Sequence, residues 1–325
     1  MRPSVARNRR VSWPQSRWLA VRIDVRSAML TVWVVLASLS LGFPTGAQAQ
    51  ITPAGETPAD TVHQVRLQDG TTLYGRVVFE TEDGITLETA GGTRVSLERV
   101  QIRSMRTVRG RIVDGRFLPQ DPNRTRLFFA PSARPLDRGE AYISSYMLFF
   151  PFAGIGVTDR FAIAGGTPIL PRAMGEVFYL APKYTVAQRS NIDLAVGALA
   201  FFATRELDEG SVGVLYGAGT FGDPDQAVTA GVGWGFSLGG GDARIENDPV
   251  LMAGGELRIG EHTKLLTENW FVIGGGSSGG ILTGGIRFFG EALSADLGLG
   301  MGFDREDSFC CLPLVNFVYN FRRGG

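Results

Sequence analysis

Residues 227–238 read AVTAGVGWGFSL, and residues 293–303 read LSADLGLGMGF. In the first stretch, the even positions are apolar and mostly large, while the odd positions are Ala, Thr, Gly or Ser. In the second stretch, the apolar residues stand at the odd positions, opposite Ser, Asp and Gly. A period of two predicts β-strands with two unlike faces.

The small-residue face decides between a soluble sandwich and a closed barrel. Strands of a sandwich bury their large apolar face and turn long polar side chains toward water. Here the second face is mostly Gly, Ala, Ser and Thr, which suits the narrow inside of a barrel, and the broad apolar face suits lipid. The pattern therefore predicts an all-β chain with an antiparallel transmembrane β-barrel over residues 125–321.

The number of segments fits a membrane barrel. Single-chain bacterial barrels have an even number of strands, and the sequence predicts about twelve. They lie near 125–132, 139–150, 157–166, 175–186, 191–202, 211–221, 227–238, 249–259, 264–273, 280–288, 292–302 and 312–321.

The predicted connections fall into a short set and a long set that alternate along the chain, as periplasmic turns and external loops do. The short ones are 188–190, 222–226, 260–263 and 289–291; the long ones are 167–174, 203–210, 239–248, 274–279 and 303–311. Both ends of the barrel then lie on the short-turn side, which predicts a periplasmic position for everything N-terminal to it.

The N-terminus looks like an export signal. The first fifty residues contain seven of the 32 basic side chains but only one of the 32 acidic ones. The remainder of the chain therefore has 25 basic and 31 acidic side chains. The arginines precede an apolar run from Ala28 to Phe43 and then Ala47-Gln48-Ala49, the order of a secretory signal with its cleavage site. We expect a signal peptide at 1–49 and a flexible leader at 50–61.

Residues 62–108 have the rhythm of a small β module. The segment RLQDGTTLYGRVVFETEDGITLETAGGTRVSLERVQI, residues 66–102, carries two Asp-Gly hairpin signals and resembles the small Sm-like or SH3-like barrels. Because the exported part is acidic and the module lacks a basic patch with interleaved aromatics, nucleic-acid binding is not expected. The module is instead expected to dock a periplasmic protein. A linker hairpin around Asp114-Gly115 is predicted within 109–124.

A family resemblance supports the barrel. The stretch DPNRTRLFFAPSARPLDRGEAYISSYMLFFPFAGIGVTDRFAIAGG, residues 121–166, and FYLAPKYTV, residues 178–186, resemble a group of largely uncharacterised Gram-negative outer-membrane β-barrel proteins. The resemblance implies a location in the outer membrane and contact with its lipid. It carries over no catalytic residue.

The last strand resembles the aromatic C-terminal strand that the barrel-assembly machinery recognises. Phe317, Tyr319 and Phe321 lie on one face of it, and Phe321 takes the role of the terminal aromatic residue. The sequence departs from that pattern by a tail, residues 322–325.

The residues of catalytic and metal sites are scarce, so no enzyme, metal or cofactor is expected. Of the two histidines, His63 precedes the first strand, and His262 lies in a predicted turn at the periplasmic rim. The acidic clusters in the external loops do not have the spacing of a calcium-binding loop. Cys310 and Cys311 are adjacent near an external loop, and a vicinal disulfide, two thiols and separate oxidation are all left open.

Five charged residues fall on the small-residue face and are the candidate lumen residues. They are Lys183, Glu256, Arg258, Arg287 and Asp296. Both signs in one lumen fit an ion-paired plug or a narrow polar conduit, and the close-packed inward glycines favour the plug. Glu268 has no predicted side, because Leu265 to Ile273 is apolar on both faces.

Two functions remain open. The first is an outer-membrane barrel with a structural, docking or limited-permeation role and an unknown substrate. The alternative is a soluble or surface-attached β-barrel that binds a small ligand.

Overall fold

A computed structural model describes residues 62–170, 175–203, 211–239, 242–274, 279–304 and 308–321. The predicted signal peptide, leader and C-terminal tail lie outside these residues. Within the described ranges the one helix is the three-residue 3-10 turn Arg99–Gln101, and no described helix is long and apolar enough to cross a membrane.

The N-terminal part is a five-stranded antiparallel sheet with its own apolar core. Its strands are β1 Val62–Leu67, β2 Thr72–Glu80, β3 Gly84–Thr89, β4 Arg94–Glu98 and β5 Ile102–Val108, in the order β4-β3-β2-β1-β5. Val65, Ile85, Leu87 and Leu97 form the buried core. This sheet covers the residues of the predicted module, 62–108.

The predicted linker hairpin follows. It consists of β6 Gly110–Val113 and β7 Arg116–Pro119. Asp114 and Gly115 both have positive φ, 49° and 75°, as the two-residue type I′ turn requires. Phe117 stacks on Tyr74 of β2 with ring centroids 4.6 Å apart, which joins the hairpin to the sheet.

The remaining strands form a closed antiparallel barrel of twelve. They are β8 Ala141–Tyr146, β9 Phe150–Gly156, β10 Phe161–Gly166, β11 Val177–Arg189, β12 Ile192–Ala203, β13 Ser211–Gly222, β14 Gln226–Gly239, β15 Asp242–Gly260, β16 Thr263–Val272, β17 Gly279–Phe289, β18 Leu293–Phe303 and β19 Ser308–Phe321. Each strand pairs with its neighbour in sequence, and β19 closes the barrel on β8, from Asn316 opposite Tyr146 to Phe321 opposite Ala141. The predicted strand number is correct.

The first two predicted strands are wrong. Residues 125–132 are not part of the wall, and the predicted strand 139–150 contains β8, the turn after it and only the first residue of β9. Met147 and Leu148, both at positive φ, make the tight turn between those two strands. The number twelve is still correct, because β9 is an additional strand that replaces the missing strand 125–132.

Two predicted external loops are shorter than expected. β15 begins at Asp242 and pairs with β14 across most of the predicted loop 239–248, past a bulge between Trp234 and Phe236. β19 begins at Ser308, within the predicted loop 303–311. Asp242 and Glu246 of the β15 extension are exposed and Asp248 is half-buried, so their polarity does not oppose a strand. Cys310 and Cys311 lie in the β19 extension and are joined in a disulfide.

The outside of the barrel is apolar, with the phases that the sequence predicts. Val228 and Leu238 on β14 and Leu297 and Leu299 on β18 are exposed, between 46% and 60%. Their neighbours Thr229 and Asp296 point inward and are buried. A belt of large aliphatic and aromatic side chains facing outward is what a barrel in lipid presents.

Candidate functional site: a plugged lumen

Residues 121–136, here called the plug, fill part of the barrel interior. The chain enters after the β6–β7 hairpin and returns to the start of β8. Within the plug, Arg126 and Pro131 form a β-bridge, and Leu127 N–H donates to the Ala130 carbonyl at 2.9 Å. The plug is therefore a small hairpin whose tip is residues 127–130.

Inward glycines make room for the tip. A Cβ on Gly298 of β18 would lie 3.0 Å from Phe128 Cζ, and one on Gly254 of β15 would lie 2.5 Å from Leu127 Cδ1. Leu127 and Phe128 are both buried. The glycine-rich inner face is thus a surface against which a second piece of chain packs closely.

Arg287 of β17 is the centre of the contacts that hold the plug. Its side chain is fully buried and donates two hydrogen bonds to Asp296 of β18, at 2.6 and 3.0 Å. It also pairs with Asp121 at 3.2 Å. Three plug carbonyls accept its remaining hydrogen bonds: Asn123 at 2.8 Å, Arg126 at 3.2 Å and Leu127 at 2.7 Å.

Lys264 extends this ion network to a second acid. Its Nζ lies 2.7 Å from Glu256 Oε2 and 3.1 Å from Asp121 Oδ2. The other Glu256 oxygen pairs with Arg134 of the plug. Asp121 lies outside the membrane-spanning strands. Its burial opposes ionisation, but the charges of Lys264 and Arg287 outweigh burial and hold the pKa of Asp121 below the ordinary value for aspartate.

Lys183 of β11 binds the plug without a carboxylate. Its Nζ donates to the carbonyls of Arg134 at 2.7 Å, Ser132 at 2.9 Å and Thr125 at 3.4 Å. Beside it, Thr185 Oγ1 donates to the Ala133 carbonyl at 3.0 Å. A buried ammonium has three donors, and here each of them meets plug backbone.

Two further wall residues hold the tip. Glu268 of β16 accepts the backbone N–H groups of Phe129 and Ala130, both at 2.8 Å, and the Trp270 indole N–H at 2.7 Å. Asn316 of β19 donates to the Phe128 carbonyl at 2.9 Å. In a wall strand, these backbone groups would form hydrogen bonds with a neighbouring strand. Here side chains of the wall form those hydrogen bonds instead, which explains how residues 125–132 can lie inside the barrel.

Four of the five candidate lumen residues, Lys183, Glu256, Arg287 and Asp296, point inward and contact the plug or its partners. Arg258 does not join them. It lies at the short-turn rim, where its Nε pairs with Asp225 at 2.6 Å and it donates to the carbonyls of Pro119 and Glu261. Arg258 therefore contacts a turn rather than the lumen acids.

The sequence reasoning missed Asp121, Arg134, Lys264 and Glu268. The sequence did contain a signal that the segment between Asp121 and Arg134 is not a wall strand. Its residues from Leu127 to Ala130 are apolar without alternation, and Pro131 and Pro135 follow them. Such a stretch fits poorly into a wall strand. Lys264 and Glu268 gave less warning, because the apolar residues of β16 occupy both faces.

The N-terminal part contacts the short-turn end of the barrel. Three turns each offer a carboxylate to an arginine of the sheet or of the β6–β7 hairpin: Glu291 pairs with Arg106, Asp225 with Arg111, and Glu261 with Arg116 at 3.5 Å. A fourth arginine, Arg109, pairs with Asp137 and Glu140 beside the start of β8. The sheet, the hairpin and the plug therefore follow each other from the short-turn end inward.

The candidate assembly residues face outward. Phe317, Tyr319 and Phe321 are each nearly half exposed, and the rings of Tyr319 and Phe321 meet edge to face at 4.9 Å. His262 lies in the turn after β15, where its Nδ1 is 3.0 Å from the Phe289 carbonyl. Among the described residues, no group of three His, Cys, Asp or Glu side chains is placed to hold a metal ion.

No protein-family model matches the chain, and no curated protein matches its sequence. Solved structures of similar fold include the KdgM porin in complex with disordered oligogalacturonate, at 10% identity and a TM-score of 0.41, covering 56% of this chain and 98% of that one. The NanC porin has 7% identity and a TM-score of 0.37, with 56% and 97% covered. OmpT of Vibrio cholerae has 10% identity and a TM-score of 0.31, with 80% and 94% covered.

Proposed function

We propose that this protein is an outer-membrane β-barrel that is closed at rest by its own plug. The observation that carries the proposal is the plug held in the lumen by Arg287, Lys264, Lys183 and Glu268. The apolar outer belt supports residence in lipid, and it disfavours the soluble alternative, because so large an exposed apolar surface would not stay in water. The protein's role is then docking with limited permeation, and conduction requires the plug to move.

The N-terminal part is proposed as the periplasmic docking unit. We propose that its five strands within residues 62–108 form an Sm-like or SH3-like module. A single residue, Gln120, separates β7 from the plug, so a partner that displaces the β6–β7 hairpin also pulls on Asp121. The arginine pairs with the three turns resist that displacement.

Export and assembly complete the proposal. The predicted signal peptide would deliver the chain to the periplasm. The outward aromatic residues of β19, Phe317, Tyr319 and Phe321, would present it to the barrel-assembly machinery. No catalytic role is proposed.

Planar-bilayer recording tests the closure. The unmodified barrel should show no steady conductance, and a variant with residues 123–134 replaced by a Gly-Ser linker of the same length should conduct steadily. The matched control inserts the same linker between Gln120 and Asp121 and keeps the plug, and it should remain closed. A conducting unmodified barrel, or a closed plug-replacement variant that is correctly folded, would contradict the proposal.

A further inference from the structure

An apolar cavity lies in the lumen on the long-loop side of the plug. Its volume is about 180 Å³. The plug forms its floor through Thr125, Arg126 and Phe129, and the wall includes Leu199, Val214 and Trp270, which lie toward the long-loop ends of their strands. An engineered apolar cavity of about 150 Å³ holds a benzene molecule, so the space is sufficient for a small organic molecule.

The charged residues described around this cavity are both cationic. Arg126 and Lys183 line it, and none of the described residues in its lining is Asp or Glu. Lys183 has its three donors on plug carbonyls. Arg126 has no such partners.

Arg126 is a buried guanidinium without a described acid. It is 9% exposed, and its Nε has no hydrogen-bond partner. Its Cζ lies 4.1 Å from the Tyr142 ring centre and 5.1 Å from that of Tyr146. The Tyr146 hydroxyl is also buried without a partner.

Such an arrangement is costly unless a ligand completes it. Buried charges in proteins are normally paired, and cation–π contacts offset only part of the lost hydration. A carboxylate accepts two hydrogen bonds from one guanidinium and can accept another from a tyrosine hydroxyl. The rest of the wall offers apolar surface.

We propose that the cavity binds a small amphipathic carboxylate. Arg126 and Tyr146 hold the carboxylate at the floor, and the apolar wall surrounds the hydrocarbon part. This site requires the plug in its described position and does not depend on plug movement, so it can fail while the closure proposal stands.

Trp270 supplies the measurement, because it lines the cavity and the outward Trp234 can be replaced by Phe. The chain used begins at Gln50, without the predicted signal peptide, because that segment contains the other three tryptophans, Trp13, Trp18 and Trp33. The probes are octanoate, 1-octanol and octylamine, added to this chain in amphipol. Octanoate should change Trp270 fluorescence saturably, and the other two probes should bind at least about tenfold more weakly. Equal affinity for octanoate and 1-octanol would overturn the proposal, and so would the absence of a saturable change in Trp270 fluorescence with octanoate.

Two variants then test the role of Arg126. Arg126→Gln should remove the preference for octanoate over 1-octanol, and Arg126→Lys should retain part of it. Because no described acid depends on Arg126, its removal leaves no carboxylate unpaired, and heat-modifiable migration verifies folding. The control is Arg138→Gln, an exposed arginine after the plug, which should keep the preference. A folded Arg126→Gln barrel that still prefers octanoate would refute the assignment.

Discussion

Replacing Arg287 by Met should destabilise the barrel by about 3–5 kcal/mol, the usual cost of breaking a buried ion pair from one side. Met has similar length and removes the charge and all donors. Asp121 keeps Lys264 at 3.1 Å, but among the described residues Asp296 has Arg287 as its one ion-pair partner. The three plug carbonyls that Arg287 serves also lose a donor, at about 1 kcal/mol each where water does not replace it.

The double variant Arg287→Met/Asp296→Leu separates the two contributions. It removes the uncompensated carboxylate, so it should recover a substantial part of the lost free energy of unfolding. The three plug carbonyls still lack the hydrogen-bond donor that Arg287 provided. Urea unfolding in lipid vesicles, followed by gel mobility, measures both variants. Arg116→Met is the control, because its pair with Glu261 is mostly exposed and such pairs contribute about 0–1 kcal/mol. A single variant costing no more than this control, or a double variant as unstable as the single one, would refute the reasoning.

Three shorter predictions concern the wall, the topology and acid. Val196→Arg, at an exposed position near the middle of β12, should cost about 2–4 kcal/mol in vesicle unfolding, and a wild-type midpoint would show that this face is not in lipid. A cysteine at Asp242 should react with an impermeant reagent in intact cells, and one at Glu82 only after the outer membrane is opened; the reverse result would invert the topology. Because the pKa of Asp121 is held below its ordinary value, the stability from its ion pairs is complete at neutral pH and is lost as pH falls below about 4. The Asp121→Asn barrel should lack that acid-induced loss when unfolding is measured at several pH values, and an identical acid profile in both proteins would exclude Asp121 as its source.

The wall could be predicted from the sequence because lipid and lumen impose opposite demands on alternate residues. β14, β18 and β19 show this alternation clearly, and their phases match the structure. The predicted short connections, 188–190, 222–226, 260–263 and 289–291, each contain Gly or polar residues between the alternating segments. At the β8–β9 turn this signal was missing, because residues 147–149 are Met, Leu and Phe, and the two strands were merged.

The plug could not be recognised by periodicity, because it is neither wall nor loop. Many of its backbone groups form hydrogen bonds with side chains more than forty residues away, such as Lys183, Glu268 and Arg287, and no local pattern reports such contacts. The inward charges of Lys183, Glu256, Arg287 and Asp296 were visible from the strand phase. Their partners Asp121 and Arg134 were not visible, because Asp121 was assigned to the linker 109–124 and Arg134 lies between the predicted strands 125–132 and 139–150.

Both ends of the plug leave the barrel through the short-turn opening: Gln120 continues from the β6–β7 hairpin, and four residues, 137–140, lead to β8. The plug is thus a folded-back loop that enters the barrel from one side, and within the described residues the chain does not thread through the ring of strands. The wall and the plug are therefore topologically independent, since chains avoid threading. The twelve strands can close β19 on β8 first and receive the hairpin afterwards, so a chain with a damaged plug should still complete its barrel.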